Sequence, residues 1–576
     1  MLGTYASFLV VLGLSALVGQ AAFAVLGRRT WSRLAPAVGL AVLLPVAWAA
    51  VRLPGRGTAA IIALAVLGIA AASVLRGRLV DLRRALRIGV PLELIALVVG
   101  SLPFILEWRF GILGTGLNPD MSQHLFAADA LADGASERLI SHGYPLGPHA
   151  LVVAASALGP SLVQAFDGLQ LAVAVATCLA ALTLLESLSA WRRIAGALVV
   201  GFAYLLASYF VQGAFKETIE ALFVLAFAIG LSELARGARR LGAAVPLALL
   251  AAGSVYAYSF PGLVWLAAAL AVWALVELAL ATRRGGARGA RELLRVALGP
   301  GVAALAVAVV LIAPEAGRLF EFASFETFNP DGAGLGNLFD RLSPLEALGI
   351  WPSGDFRVEP GAGAVPAIVF YLGAALGAAA VAIGLVHLVR RKERALPAAL
   401  VGAALLWLYA LVAGTPYQEA KALVLIAPLV AIVSVLGLLE GRAPIALALA
   451  FLAAAGGSSI LALVNGPVGP SNYSPALAEL RPTLRGRVTY VFAPHELLSN
   501  QQGRDYLNWE LRGNRICIRE RPDGSFAAPP GASWLVVGFD DGAVVPEDSH
   551  RARHPAAAGR SCPLITPAER ADPGAG

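Results

Sequence analysis

Charged residues are scarce in this chain. Asp, Glu, Lys and Arg make up 14% of its 576 residues, whereas 58% of the residues are hydrophobic and the mean hydropathy is +0.74. A soluble globular protein carries many more charged residues on its surface than this composition supplies. The composition therefore excludes a soluble globular fold and predicts an all-α polytopic membrane protein.

The common motifs of soluble enzymes are also missing. The chain has no Walker motif, no HExxH, no GxSxG and no nucleotide-binding pattern of a soluble fold. ATP-driven transport, metalloprotease chemistry and serine-esterase chemistry therefore lose support. The net charge of +7 does not indicate a nucleic-acid partner, because the basic residues cluster in short loops between apolar runs, as the positive-inside rule requires.

Cysteine is rare, with three residues in the whole chain. Cys178 lies in the middle of an apolar run and is interpreted as a small packing residue. Cys517 and Cys562 both lie in the C-terminal part, where an oxidising compartment would permit a disulfide. The sequence alone leaves that pairing open.

Apolar runs of about 18 to 25 residues, long enough to cross a bilayer as helices, recur along most of the chain. They predict about fourteen transmembrane helices, with both termini outside. No basic segment precedes the first run, so we expect it to be a retained span. Residues 1–87 are predicted to form three transmembrane helices and a basic interfacial stretch. Residues 88–464 are predicted to form a transmembrane core with outer loops at 107–160 and 314–365. Residues 465–576 are predicted to form an extracytoplasmic α/β domain with a polar tail.

The composition changes abruptly after about residue 465. Three short runs, at 488–493, 515–519 and 533–539, have the β-branched and aromatic content of strands. Residues 495–513 between the first two runs have the pattern of a helix. These elements predict a small α/β domain at the C-terminal end of the chain.

One polar segment, residues 118–149, interrupts the apolar runs. Asn118 is a predicted helix cap, and Asp120 follows it near the positive end of the helix dipole. The next residues predict a short amphipathic helix that ends at Gly134. Pro148 begins a second helix that is too short to span a bilayer. Two short helices joined by a polar turn between spans indicate a functional site.

Asp120 is the candidate catalytic residue of this segment. A carboxylate can take a proton from an attacking hydroxyl, and His124 lies one turn further along the same helix face. Each has a simpler interpretation: Asp120 would stabilise the helix terminus by about 0.3–1 kcal/mol, and His124 would be an ordinary interfacial residue. Tyr144 and His149 are predicted to shape an acceptor pocket, although a turn followed by a capped helix explains both as well.

Candidate phosphate-binding residues lie at the predicted outer ends of the spans. Lys421 is the most informative, because a lysine one turn inside an apolar run needs a reason to enter the membrane. The alternative is a lysine that extends to the interface beside a neighbouring acid. The full set of predicted binding residues outside the polar segment is Lys216, Glu217, Arg318, Tyr417, Gln418 and Lys421.

The motifs PDMSQHL, GYPLGPHAL and PYQEAKAL together resemble the C-type glycosyltransferase (GT-C) superfamily, which includes the protein O-mannosyltransferases and the aminoarabinose transferases. The loop also resembles that of uncharacterised bacterial membrane proteins with a DxxxHL…YPxGxHAL pattern. The resemblance implies a GT-C-like helical core, Asp120 as the catalytic acid position and Lys421 as a donor-phosphate position. Two features depart from the family: three spans precede the loop, and Met121 replaces the second acid of the usual pair, which leaves metal use open.

These observations predict an inverting glycosyltransferase of the bacterial cytoplasmic membrane. It would move a sugar from a polyprenyl-phosphate donor to an envelope glycan, lipid or protein at the outer face, in contact with membrane lipids and without nucleic acid. No cofactor is certain, and a divalent metal at Asp120 and His124 is left open. The alternatives are a polytopic transporter or lipid-linked-saccharide flippase, and a non-catalytic envelope scaffold.

Overall fold

The computed structural model describes residues 1–550 except 79–80, 116, 119, 136–137, 238–240, 324–333, 442, 471–473, 487, 500, 522–532 and 541–542. Its helices are α1 (Leu2–Val25), α2 (Ala35–Val51), α3 (Arg56–Leu75), α4 (Leu82–Gly100), α5 (Leu102–Leu106), α6 (Met121–Asp133), α7 (Arg138–Ser141), α8 (Gly147–Ser156), α9 (Leu162–Leu182), α10 (Ala190–Gly201), α11 (Tyr204–Val211), α12 (Phe215–Arg236), α13 (Val245–Tyr258), α14 (Phe260–Ile312), α15 (Ala316–Ala323), α16 (Ala367–Arg390), α17 (Ala395–Ala413), α18 (Pro416–Leu439), α19 (Ile445–Val464), α20 (Pro475–Glu479), α21 (Arg481–Leu484), α22 (His495–Leu498) and α23 (Gln501–Glu510). Three 3₁₀ helices lie at Leu241–Ala244, Ala313–Glu315 and Pro344–Leu348.

The chain is a polytopic helical membrane protein by the length and composition of its helices. The described part contains ten helices long and apolar enough to cross a membrane, or eleven if the bent pair α10 and α11 forms one span. α14 includes the non-helical residues Gly285 and Gly286, so it consists of two helices joined at a break. The finer count of fourteen, and the predicted orientation and domain boundaries, stay predictions.

The helices form a layered bundle. α9 and α18 are buried along their whole apolar windows, whereas only 6% of the corresponding window of α14 is buried. α9 and α18 therefore lie at the centre and α14 at the periphery. Small residues permit close packing: a Cβ at Gly19 of α1 would lie 1.8 Å from the Ala35 carbonyl oxygen of α2. This agrees with the tight packing that small residues allow in membranes.

The predicted helix of the polar segment is confirmed, including its end at Gly134, which has φ 73°. The predicted cap is wrong. Asp120 occupies the N-cap position of α6, while the Asn118 side-chain oxygen accepts a hydrogen bond from the Asp120 backbone N–H at 3.1 Å. The Asp120 side chain makes no cap hydrogen bond. The second short helix is α8, which Pro148 begins as expected.

A four-stranded sheet lies near the C-terminal end, with the order β2-β1-β3-β4. Its strands are β1 (Val488–Ala493), β2 (Arg515–Glu520), β3 (Ser533–Asp540) and β4 (Ala543–His550). β1 to β3 are parallel, agree with the predicted strands to within one residue, and confirm them. The antiparallel β4 was missed because its sequence, AVVPEDSH, is polar and contains proline. The predicted helix is confirmed as two shorter ones, α22 and α23.

Cys517 is buried within β2, whereas Cys562 lies outside the described residues, as does the predicted polar tail beyond residue 550. The disulfide between these cysteines therefore stays a prediction.

The region that contains the sheet, residues 475–550, packs on α6, whose N-cap position is Asp120. α23 contacts α6, and the Trp509 side chain of α23 belongs to the same hydrophobic cluster as the membrane helices. The chain before α6 is held from the same side, because Leu113 and Val468 form an antiparallel bridge. The C-terminal region thus contacts both the segment that precedes α6 and α6 itself.

Truncating Trp509 to alanine should lower the free energy of unfolding by about 3–5 kcal/mol, since a large side chain with 2% exposure would leave a cavity. Denaturant unfolding of the purified protein in detergent micelles measures this loss. The matched control is Trp108→Ala, because Trp108 is 93% exposed and its removal should change stability by less than about 0.5 kcal/mol. Equal losses in the two variants would show that α23 does not anchor the region.

Candidate functional site

The N-terminal ends of α6, α12 and α18 meet the C-terminal end of α11 around one pocket. The pocket contains about 380 Å³ of space that no atom fills, counted out to its opening in solvent. Six of the ten residues predicted from the sequence line it. The complete lining is Asn118, Asp120, Met121, His124, Tyr209, Gln212, Gly213, Ala214, Phe215, Lys216, Glu217, Asn337, Tyr417 and Lys421.

Local sequence brings these elements together. Gly213, in the turn between α11 and α12, has φ 75°, and a Cβ there would lie 2.7 Å from the Met121 side chain. α18 begins with a reciprocal capping box, in which the Thr415 and Gln418 side chains accept hydrogen bonds from each other's backbone N–H groups. This defined first turn places Tyr417 and Lys421, four residues apart, on one face of α18.

The opposite ends of the same helices carry basic residues and ion pairs. α12 begins at the pocket with Phe215 and ends at Arg236, which pairs with Glu393 at 3.3 Å. α18 begins at the pocket and is followed by Glu440, which pairs with Arg391. A helix of 22 residues is about 33 Å long. The pocket and the basic cluster are thus separated by roughly the thickness of a bilayer core.

Asp120 faces α18. Its Oδ2 atom lies 3.5 Å from the Tyr417 hydroxyl, which is the outer limit for a hydrogen bond donated by the tyrosine. The carboxylate therefore lies at the pocket rather than on the first N–H groups of α6.

Lys421 and Glu217 form a buried ion pair. The distance from the Lys421 Nζ atom to the Glu217 Oε1 atom is 2.9 Å, and the two side chains are 15% and 4% exposed. The Tyr258 hydroxyl lies 3.5 Å from the same carboxylate oxygen, and the Lys421 ammonium lies 4.2 Å from the centre of the Tyr417 ring. Lys421 is thus held inside the bundle by a carboxylate and an aromatic face, which accounts for a lysine at this depth.

Lys216 has a different environment from Lys421. Its ammonium lies 4.1 Å from the centre of the Tyr144 ring and lines the pocket. In the part of the chain that the structure describes, no carboxylate lies within ion-pair distance of it. Glu217 pairs with Lys421 rather than with its neighbour in sequence. Of the two pocket lysines, Lys216 is therefore the one that no carboxylate of the described residues holds in an ion pair.

His124 and His149 form a buried pair behind Asp120. The His149 Nε2 atom lies 3.2 Å from the His124 Nδ1 atom, and both rings make edge contacts with Phe215. Burial lowers the pKa of His149 to about 3. The pKa of His124 is also well below its ordinary value, first because of burial and then because of His149 and the two lysines. Both histidines are therefore neutral at physiological pH.

Acidification should destabilise the fold through this pair. An unfolded histidine binds its proton near pH 6.5, so the stability contributed by neutral His149 is fully present above that pH and is lost as pH falls towards 3. His149 should contribute a slope of about 1.4 kcal/mol per pH unit over this range. Unfolding measured from pH 6 to pH 4 should show a lower slope in His149→Phe. His495→Phe, at an exposed histidine, should keep the parent slope; a parent slope in both variants would contradict the neutral pair.

Four predicted residues do not line the pocket: Tyr144, His149, Arg318 and Gln418. Tyr144 and His149 support pocket residues, through Lys216 and His124 respectively. Gln418 caps α18.

Arg318 holds a turn rather than facing the pocket. Its guanidinium donates hydrogen bonds to the backbone oxygens of Ile140 and Tyr144, at 2.9 and 2.8 Å, and pairs with Glu315 at 3.3 Å. It also lies over the Trp48 ring. Arg318 therefore positions the turn that carries the Tyr144 ring.

The donor set does not by itself fit a metal held by protein ligands. No group of three His, Cys, Asp or Glu side chains suitable for a metal occurs among the described residues. The His124 Nδ1 atom faces His149 instead of Asp120. A divalent metal at Asp120 and His124 would thus have no third protein ligand among the described residues.

Several pocket residues were not predicted as site residues. Tyr209 and Gln212 lie in an apolar run, and Asn337 lies in the long loop between α15 and α16, where no pattern distinguishes it. For Asn118 the sequence predicts only a capping role. The signal that these residues share is their position at helix ends or in loops, which many other residues of the chain also have.

A scan against protein-family models and a search of curated proteins both returned no match for this chain.

Proposed function

We propose that the chain is an inverting glycosyltransferase that moves a sugar from a polyprenyl-phosphate donor to a hydroxyl acceptor. The observation that supports this most directly is one pocket that contains an acid and two lysines from three separate helices, Asp120, Lys216 and Lys421. A base and cations at one pocket are the groups that this transfer requires.

The reaction follows from the roles of these groups. The Asp120 carboxylate accepts the proton of the acceptor hydroxyl as its oxygen attacks the anomeric carbon of the sugar. The bond between that carbon and the phosphate oxygen breaks, and its electron pair leaves with the polyprenyl phosphate. Lys216 and Lys421 stabilise the negative charge on the leaving phosphate. A single displacement inverts the configuration of the anomeric carbon.

The outer face is the side where this reaction is proposed to occur. The pocket lies at the helix ends opposite to the basic clusters that contain Arg236 and Arg391. Basic residues favour the cytoplasmic side of a membrane. A location in the bacterial cytoplasmic membrane, with the sheet region outside, agrees with this distribution. A pocket at one end of the bundle supports surface chemistry more than transport, for which binding near the midplane is typical.

The test is transfer by the purified protein in lipid vesicles. The donors are polyprenyl-phosphoryl mannose, glucose and arabinose, each supplied with a mixture of cell-envelope glycans and lipids as acceptors. We expect acceptor-dependent release of polyprenyl phosphate from at least one donor, with an inverted anomeric configuration in the product by NMR. Release with retained configuration would contradict the single displacement. No release from any donor would contradict the proposed function.

A further inference from the structure

One side of the pocket is formed by amide side chains rather than by charged groups. It consists of Asn118, Gln212 and Asn337 and is called the amide wall; Tyr209 lines the same pocket. The proposed chemistry uses the acid and the lysines but gives these four residues no role.

The orientation of the Asn337 amide is determined by its neighbours. Its Nδ2 group donates to the Gln212 Oε1 atom at 2.6 Å and to the Leu117 backbone oxygen at 3.1 Å. A flipped amide would place its oxygen against two other oxygens, so this orientation is the stable one. Gln212 is itself held, because its Nε2 group donates to the Ser208 backbone oxygen at 3.3 Å. The remaining polar atom of Asn337, its Oδ1 oxygen, is an acceptor.

Asn118 contributes the complementary group. Its Oδ1 oxygen accepts the Asp120 backbone N–H, and the residue is 8% exposed. Its Nδ2 group makes no hydrogen bond within the described ranges and is therefore a donor available at the pocket. The amide wall thus presents one acceptor and one donor, both held in place by neighbouring backbone or side-chain groups.

Tyr209 adds a buried hydroxyl for which the described residues supply no hydrogen-bond partner. Its side chain lines the pocket, is 3% exposed and packs against the Phe356 ring at 5.6 Å. Among the described residues nothing hydrogen-bonds to its hydroxyl. A buried polar atom without a partner costs free energy, so a ligand or water that supplies the missing bond would be stabilised there.

We propose that the amide wall is a subsite for the hydroxyl groups of a neutral sugar. A hydroxyl both donates and accepts, so neighbouring sugar hydroxyls match the Asn337 oxygen, the Asn118 amide group and the Tyr209 hydroxyl. A phosphate does not match, because it offers only acceptors and would face the Asn337 oxygen. This inference rests on the proposed function and assigns the recognition of the sugar to residues separate from the lysines. The sugar belongs either to the donor or to the acceptor.

Binding of three kinds of probe to the purified protein in detergent tests this proposal. The probes are farnesyl phosphate; farnesyl phosphate linked to mannose, glucose or arabinose; and the corresponding free methyl glycosides. If the subsite holds the donor sugar, at least one sugar-linked probe should bind about tenfold more tightly than farnesyl phosphate. If it holds the acceptor sugar, at least one methyl glycoside should bind, and the sugar-linked probes should bind no more tightly than farnesyl phosphate.

In either case Asn337→Leu and Tyr209→Phe should remove most of the sugar-dependent affinity and leave the affinity for farnesyl phosphate within about twofold. Tyr209→Phe keeps the aromatic ring and removes only the hydroxyl. It therefore still tests the subsite if Asn337→Leu does not fold. The matched control is Asn465→Leu at an exposed residue outside the pocket, which should bind all probes like the parent.

The contradicting results are distinct. If the parent binds farnesyl phosphate but shows no added affinity for any sugar, or if both variants keep that added affinity, the amide wall is not a sugar subsite. The proposed function would survive either result. If the parent binds none of the probes, both proposals fail.

Discussion

Replacing Asp120 by asparagine is expected to reduce sugar transfer by a factor of about 10² to 10⁴, the usual contribution of a general base. Asparagine has nearly the same size and keeps a polar group at the helix N-cap, where it is a favoured residue. The variant should therefore fold normally and still bind the donor. The measurement is acceptor-dependent release of polyprenyl phosphate by the reconstituted protein, together with its unfolding transition.

The matched control is Asp133→Asn, the same change at the exposed other end of α6. It should transfer at the parent rate. If Asp120→Asn also transfers at the parent rate, Asp120 is not the base, and its role would be limited to the helix terminus. If Asp120→Asn has both a lower transfer rate and a lower free energy of unfolding than the parent, the role of Asp120 is structural instead.

The second large effect is expected at the buried ion pair. Lys421→Gln should lower the free energy of unfolding by about 3–5 kcal/mol, because it leaves the 4% exposed Glu217 carboxylate without its cation. Glu217→Gln should cost a similar amount for the converse reason. The double variant removes both charges and should recover most of the lost stability. Unfolding of the four proteins in detergent micelles gives this double-mutant cycle.

The same four proteins separate stability from function. If Lys421 stabilises the leaving phosphate, transfer should stay low in the double variant although its stability is restored. Full transfer by the double variant would show that the ion pair is only structural. Additive losses of stability would show that the two side chains do not interact in the way the 2.9 Å distance implies.

The local elements could be predicted because their signals are local. The period of the apolar residues and the glycine after Asp133 predicted α6 and its end. β-branched runs with turn residues on each side predicted β1, β2 and β3. β4 carries no such signal, because it contains Pro546 and acidic residues. An edge strand tolerates such residues, and β4 lies at the edge of the sheet.

The contacts of the site depend on distant parts of the chain and could not be read from the sequence. Glu217 is adjacent to Lys216, yet it pairs with Lys421, which lies on another helix. Arg318 has the charge for phosphate binding, but the backbone oxygens of a neighbouring turn use its guanidinium. Asn337 reaches the pocket from a long loop, and only the packed structure brings it beside Gln212.

In the proposed function, one pocket holds a sugar phosphate between Asp120 and the two lysines. The most direct test is an experimental structure of the protein in lipid nanodiscs with a bound farnesyl-phosphoryl sugar that the binding assay selects. We expect the phosphate oxygens within about 3 Å of the ammonium groups of Lys216 or Lys421, with the anomeric carbon on the side of Asp120. A phosphate bound elsewhere on the protein, with this pocket still closed around its own side chains, would contradict the account.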